Sequence, residues 1–455
     1  MPTLGAIADD FTGATDLATM LVSRGYRTVV TVGPDGVTGG VTGGVTGEGA
    51  SERAGERVGE GADEGGRAGA DASAGGAVTE ADAVVVALKS RTAPVDEAVG
   101  DSLAALRALR AAGCERFYFK YCSTFDSTPR GNIGPVTDAL LDALGERGTI
   151  VVPSFPATGR TVRDGELFVH GEPLDQSPMR HHPLTPMTDS HVDRLLTPQT
   201  GHPVRVVGLA TVRAGADVLR QALDAADPAD ALVVVDAVTD DDLRVISAAT
   251  THLPLVTGAA GLALGLTGPH PDTARAPSAS APGDFGAVLS GSASSATRAQ
   301  VAHGRERLPH RKLDLTALRT EFEATLAELV AFARDCWRRD PALPPLIYAV
   351  DDLKDLEGAA PDAAFLVERT LAACARELVA AGAGRLLVAG GETSGAVVTA
   401  LGVRTLSIGA PIAPGVTWAR AEGQAHGKSH TVDVALKSGN FGSQEIFTEA
   451  WSALV

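Results

Sequence analysis

Two adjacent carboxylates, Asp9 and Asp10, open the run Asp-Asp-Phe-Thr-Gly-Ala-Thr-Asp over residues 9–16. The apolar residues 4–8 before them predict a strand, and the stretch 15–23 after them predicts a helix. In parallel α/β proteins ligands gather at the carboxyl ends of strands, which is where this turn lies. Neighbouring side chains there point in different directions, so at most one of the two acids can closely face a given ligand atom. One carboxylate could take a proton from a hydroxyl while the N–H groups opening the helix hold an anion. A plainer use is also open, in which Asp10 or Thr12 only caps the helix.

A second strand-to-helix turn runs from Lys120 to Asn132 and carries Ser123, Thr124, Asp126, Ser127, Thr128 and Arg130. Hydroxyls together with an Asp, a Lys and an Arg suit a polyhydroxylated acid, although Pro129-Arg130-Gly131-Asn132 also reads as an ordinary helix entry. Arg160 and Arg180 add guanidinium groups that could hold a carboxylate at two points. The neighbouring pair His181-His182 lacks the third and fourth ligands that a metal needs, so the metal ligands stay unknown.

Three further turns join strand-like to helix-like stretches in the last third of the chain. They are Ser290-Gly291-Ser292-Ala293-Ser294-Ser295, Gly390-Gly391-Glu392-Thr393-Ser394-Gly395 and Lys437-Ser438-Gly439-Asn440-Phe441-Gly442. Glycines let a backbone approach phosphate, and hydroxyls at a helix start can bind it. Each turn alone is weak, since Gly and Ser also build common turns, but three together suggest a nucleotide site. Gly423-Gln424-Ala425-His426-Gly427-Lys428-Ser429 imitates a phosphate loop, yet it is one residue short and is followed by a strand pattern at 431–436, where that loop needs a helix.

The elements that must position these turns alternate. Further strands are predicted at 28–32, 83–87, 116–120, 149–153, 204–208 and 232–236, with helices at 97–112 and 133–144. After a Pro-, Ala- and Ser-rich stretch the alternation restarts, with strands at 285–290, 346–350, 385–389, 405–408 and 432–438 and a last helix at 444–453. The fold class expected is α/β, in two domains with mainly parallel sheets. The boundaries are 1–268 for the first domain, 269–284 for a linker and 285–455 for the second. Within the first, 36–76 carries tandem VTGG repeats and little to bury, and reads as a disordered surface insertion.

The net charge of -17 makes nucleic acid or an anionic membrane a poor partner. A small anion is still compatible, because a few local cations can hold it. No apolar run approaches the roughly 20 residues that cross a bilayer. The start lacks a basic stretch followed by an apolar core. Cys114, Cys122, Cys336 and Cys374 form no C-x-x-C pair, as in a reducing compartment. A cytoplasmic protein is expected, with homo-oligomerisation left open.

Eight stretches resemble, in collinear order, the four-carbon acid sugar kinase family, and its 3-oxo-tetronate 4-kinase members most of all. They are IADDFTGATDLA (7–18), FKYCSTFDSTPRGNIGPVTDAL (119–140), ATGRTV (157–162), MRHHPLTPMTDS (179–190), LSGSASSATR (289–298), VAGGETSGAVV (388–398), IGAPIAPGVTW (408–418) and LKSGNFG (436–442). The resemblance implies an ATP- and Mg²⁺-dependent kinase that phosphorylates 3-oxo-tetronate on its terminal hydroxyl. It implies an acid-sugar-binding first domain and an ATP-binding second domain. Asp9, Asp10, Thr12, Lys120, Asp126, Arg160 and Arg180 would face the sugar, with Asp10 and then Asp9 as the expected base. Ser290 or Ser292, Gly390, Gly391, Glu392, Thr393, Ser394, Gly439 and Gly442 would contact ATP. The alternatives are a D-threonate or D-erythronate 4-kinase of the same family and a nucleotide-binding regulator without activity. One departure is Gly258-Ala259-Ala260-Gly261-Leu262-Ala263, where the family often shows GGSGLA, so a hydroxyl that might bind ligand is missing.

Overall fold

The computed structural model describes residues 1–38, 78–181, 185–225, 230–270, 285–356, 360–425 and 428–454. The expected insertion at 36–76 therefore lies outside the described residues except at its start. There the boundary is corrected: Asp35–Thr38 is a helical turn with Val37 buried, because that side chain packs with the core beneath it. The expected linker at 269–284 also lies outside them, save for 269 and 270.

The first half contributes β1 (Leu4–Ala8), β2 (Thr28–Val32), β3 (Ala83–Ala87), β4 (Arg116–Lys120) and β5 (Thr149–Val152) to the main sheet, then β9 (Val204–Val207), β10 (Leu232–Val235) and β11 (Leu255–Gly258). Between them β6 (Arg160–Arg163), β7 (Glu166–Val169) and β8 (Glu172–Pro173) form a small antiparallel sheet of their own. The second half adds β12 (Phe285–Ser290), β13 (His310–Lys312), β14 (Leu346–Tyr348), β15 (Ala383–Ala389), β16 (Thr405–Ala413), β17 (Val416–Ala425) and β18 (Lys428–Lys437). Strands such as Ala83–Ala87 are buried at every residue. Continuous apolar runs of this kind are what a parallel strand covered on both faces requires.

Each half holds a parallel set, with helices between its strands, and the two sets share one sheet. Its order is β13-β14-β12-β15-β18-β17-β16-β2-β3-β1-β4-β11-β5-β10-β9. The link is antiparallel: β16 pairs with β2 through Thr405 and Thr31, and β17 pairs with both β16 and β18. Six strand-to-strand steps separate β1 from β15. At about 20–25° of twist each, they turn the sheet by about 120–150°. Twist of that size brings the carboxyl-end loops of the two parallel sets toward each other, although they would lie on opposite edges of a flat sheet.

Several expectations change. The helix expected at 15–23 begins at Phe11, because Asp10 is its N-cap and accepts from Gly13 N–H. The strand expected at 405–408 continues to Ala413, and all of β17 was unexpected. Of the residues resembling a phosphate loop, 423–425 close β17 and 428–429 open β18, with Ala425 opposite Lys428, and 426 and 427 lie outside the described residues. In place of a helix over 444–453 there is a short helix, Ile446–Glu449, followed by a tighter helical turn, Ala450–Leu454.

Candidate active site

β1, β3 and β4 lie side by side, so their carboxyl-end loops meet. Asp9 follows β1 and is buried. Arg91, four residues past β3, donates from Nε to Asp9 Oδ2 at 2.9 Å and from Nη2 to Asp9 Oδ1 at 2.7 Å. The same Nη2 lies 3.0 Å from Asp10 Oδ1. Burial pushes the Asp9 carboxyl up from its ordinary value, and the Arg91 guanidinium opposes that rise.

Asp10 accepts two hydrogen bonds, from Gly13 N–H at 2.7 Å and the Thr12 hydroxyl at 2.8 Å, and forms an ion pair with Arg91. Burial acts against its charge, but Arg91, Lys120 and these donors outweigh burial and hold its pKa below the usual carboxylate value. Lys120 ends β4, is buried, and donates to Tyr121 O at 2.9 Å. Asp126 accepts from the Thr124 hydroxyl at 2.6 Å and lines a small cavity in which Asp9, Ser90, Arg91, Ser127 and Asn132 face the apolar Phe119, Ile133 and Val136. Asn132 anchors this wall by donating to Ser90 O at 2.7 Å and Ala93 O at 2.9 Å.

Asp16 lies further along the helix Phe11–Ser23 and is buried, with Oδ1 lacking a hydrogen-bond partner among the described residues. Burial pushes its pKa up to about 6, against the pull of Lys120 and Arg160 and with Asp10 adding to the rise. Arg160 is also buried and has an unpartnered Nε, and its guanidinium lies over the Phe441 ring at 5.8 Å from the centroid. Burial pushes the nearby Cys122 thiol up to about 12, which leaves no reactive thiolate there.

On the other side, β12, β15 and β18 are adjacent and parallel, so their three Gly- and Ser-rich turns also meet. Ser294 caps the helix Ser295–Arg305, and its hydroxyl donates to Gly439 O at 2.6 Å. Lys437 is fully buried, and Nζ donates to Ser438 O at 2.8 Å, Gly439 O at 3.1 Å and the Thr297 hydroxyl at 3.2 Å. Burial lowers its pKa to about 7, while the three oxygens match the three hydrogens of an ammonium. Gln300 ties the rest of that loop by donating to the carbonyls of Phe441, Gly442 and Ser443.

Gly390 has φ +126°, a conformation that favours glycine, and opens the helix Gly391–Ala400. Ser290 Oγ and Ser394 Oγ are buried without partners among the described residues. Unpartnered hydroxyls beside two helix N-termini fit phosphate oxygens.

The two loop sets touch. A Cβ on Gly391 would lie 3.5 Å from Asp10 Oδ2 and 3.9 Å from the Thr12 hydroxyl, and one on Gly395 would lie 3.0 Å from the Phe11 ring. Lys89 crosses the same junction to Glu392 at 3.0 Å and Glu368 at 3.4 Å.

Comparison with known proteins fits this two-sided site. Residues 4–266 match the family described as a sugar-binding N-terminal domain, and 287–447 match the nucleotide-binding C-terminal domain. A 3-oxo-tetronate kinase of Burkholderia multivorans is 46% identical, with 100% of this chain and 97% of that protein covered. One from Cupriavidus necator is 45% identical, covering 99% and 96%. The chain belongs to the four-carbon acid sugar kinase family.

Among solved structures, a Salmonella typhimurium protein provisionally described as a tRNA synthase superposes with a TM-score of 0.77 at 37% identity, covering 99% of both chains. The acid cluster falls in the sugar-binding part of the family's architecture, and the Gly- and Ser-rich turns fall in its nucleotide-binding part.

Of the residues singled out in the sequence, the structure gathers Asp9, Asp10, Thr12, Lys120, Asp126 and Arg160 on one side. Ser290, Ser292, Gly390–Ser394 and Gly439–Gly442 lie on the other. Arg180 stands apart: it is exposed on the turn Pro178–His181 and donates to Asp175 O at 3.0 Å. Its neighbour Met179 does reach the second side, with Sδ 4.0 Å from Asn440 Nδ2. His182 lies outside the described residues. Among those residues, no group of three or more potential ligands is placed to hold a metal, and no helix is long and apolar enough to cross a membrane.

The sequence reading left out Arg91 and Lys89 and gave Asp16 and Lys437 no role of their own. Arg91 and Lys89 follow the apolar run of β3, so the strand-end rule applied to Asp9 would have found them.

Proposed function

We propose that this protein is an ATP-dependent kinase that phosphorylates 3-oxo-tetronate on its C4 hydroxyl. The first domain, through residue 268, holds the acid sugar, and residues 285–455 hold ATP. The observation that carries the reading is the approach of Gly391, in a phosphate-type turn, to Asp10 and Thr12 in the acid cluster. The names of the Burkholderia and Cupriavidus relatives supply the substrate.

Phosphoryl transfer asks chiefly for positioning and charge stabilisation. Lys120 and Arg160 supply buried cations for the sugar acid's carboxylate. Asp10, fixed by Arg91, Thr12 and Gly13, sets the edge of the site that faces the phosphate turns. The hydroxyls of Ser290, Ser292, Thr393 and Ser394 and the N–H groups after Gly390 would hold the triphosphate. Mg²⁺ would enter with the nucleotide, held mainly by phosphate oxygens and water, and would neutralise their charge. ATP as substrate, and four cysteines that are all free, suit a cytoplasmic location. A net charge of -17 opposes a polyanion such as tRNA as substrate.

The test is ADP release with Mg-ATP against 3-oxo-tetronate, D-threonate, D-erythronate and L-threonate. Preference for the 3-oxo acid supports the proposal. Preference for a reduced acid keeps the kinase and changes the substrate. Nucleotide binding without turnover on any of them overturns the reading in favour of an inactive regulator.

A further inference from the structure

Asp9 and Asp10 already have their oxygens engaged by protein donors. Both oxygens of Asp9 accept from Arg91, and Asp10 accepts from Gly13 N–H and the Thr12 hydroxyl and pairs with Arg91. At Asp10 these groups also hold the pKa below the usual carboxylate value, which weakens it as a base. Asp16 differs. Its Oδ1 is buried and accepts nothing from the described residues. A buried carboxylate oxygen left without a donor is costly, so its retention asks for a partner that arrives later.

The surroundings show where that partner would come from. Asp16 stands four residues after Thr12 and three after Gly13, so the three share one face of the helix Phe11–Ser23. Two glycines border this face. A Cβ on Gly13 would lie 3.0 Å from Lys120 Nζ, and one on Gly415 would lie 3.2 Å from Asp16 Oδ1 and 2.5 Å from the Phe441 ring. The charged and titratable groups facing Asp16 are Lys120 from the end of β4, Arg160 from β6, Asp10 from its own helix start and Tyr118 from β4. From the nucleotide-binding side Gly415 borders Asp16 Oδ1, with the Phe441 ring against that glycine, and both are uncharged. An open carboxylate oxygen beside two buried cations matches an acceptor that carries both a hydroxyl and a carboxylate.

We propose that Asp16 is the base that accepts the proton of the acceptor hydroxyl, with Lys120 and Arg160 binding the acceptor's carboxylate beside it. The inference rests on the kinase reading above. In the step, the hydroxyl oxygen forms its bond to the γ-phosphorus as the bond from that phosphorus to the departing ADP oxygen breaks. The ADP oxygen keeps the electron pair, and the hydroxyl proton passes to Asp16 Oδ1.

The test is the pH dependence of kcat/KM for wild type and Asp16→Asn with Mg-ATP and 3-oxo-tetronate, alongside ADP affinity and Tm. In wild type, activity should fall on the acid side with an apparent pKa near the value of about 6 that burial gives Asp16. Asp16→Asn should lower kcat by about 10²–10⁴-fold and flatten the acid limb, with ADP affinity kept within about three-fold. Turnover close to wild type in the variant, or an acid limb that survives the substitution, overturns the proposal. Should the variant fail to fold, a wild-type profile with no limb near that pH overturns it alone. A wild type inactive on every acid overturns the kinase reading and this inference with it. An active wild type with an unaffected variant overturns only this inference.

Discussion

Around Asp10 the polar groups are side chains, several of them charged, and most are held from another loop: Arg91 on Asp9 and Asp10 and Asn132 on the backbone of residues 90–93, with Thr12 on Asp10 from its own turn. Around Gly390 and Gly439 they are mostly backbone groups and hydroxyls, with Ser294, Thr297 and Gln300 bonded to carbonyls of the last loop. The difference follows from what each side must recognise. A small hydroxy acid offers a carboxylate and a proton to be moved, which calls for fixed charges and one open base. A triphosphate offers many equivalent oxygens, which N–H groups at helix starts can meet without burying further charge. Lys437 is the exception, a buried cation whose three acceptors belong to its own loop and to Thr297, so it braces the turn from behind.

Substitutions on the two sides should therefore fail in different ways. The largest effect belongs to Arg91→Ala, which leaves Asp9 buried and unpaired. It should cost about 3–5 kcal/mol, read from the urea midpoint, and an unchanged midpoint would show that the charges of the acid cluster are not interdependent. Asp16→Asn should act in the opposite direction. A carboxyl raised from 3.8 to about 6 in the fold makes stability fall as pH rises between those values, because the folded state there holds a proton that the unfolded chain has lost. At pH 8 the variant should thus gain up to about 3 kcal/mol over wild type, and at pH 3 nothing. Thermal unfolding at the two pH values checks this.

On the phosphate side, Lys437→Met should cost about 1–3 kcal/mol through unsatisfied oxygens and should weaken ADP binding, with acid-sugar affinity unmoved. Calorimetry with each ligand would blur the comparison if both affinities fell together. The smallest effect is expected for Lys89→Ala. Its ion pairs with Glu392 and Glu368 join the two sides but are half exposed, so the stability change should stay under about 1 kcal/mol. A modest, salt-sensitive rise in KM for ATP is the result to look for.

Asp9, Asp10 and Lys120 were legible in the sequence because each ends an apolar run, and a strand end in an α/β fold marks the ligand edge. The three phosphate-type turns were legible for the same reason. The same rule would have marked Arg91 after the strand 83–87, but not its partner, because only the pairing of β1 with β3 brings it to Asp9 from 82 residues away. Asp16 stood in the motif, but its open oxygen is a property of packing that spacing does not express. The β16–β18 hairpins were obscured by Gly409 and Pro411, which interrupt the strand pattern where the pairing register itself shifts. Arg180 had the right chemistry, yet its side chain turns to Asp175.

The claim that the acid cluster and the phosphate turns form one transfer site is tested most directly by measuring kcat and ADP affinity together in Asp10→Asn. Asp10 belongs to the first domain, and its Oδ2 faces Gly391 of the second. The account predicts a loss of about 10²-fold or more in kcat with ADP affinity nearly unchanged. Normal turnover would contradict it, placing the chemistry away from the junction at Gly391.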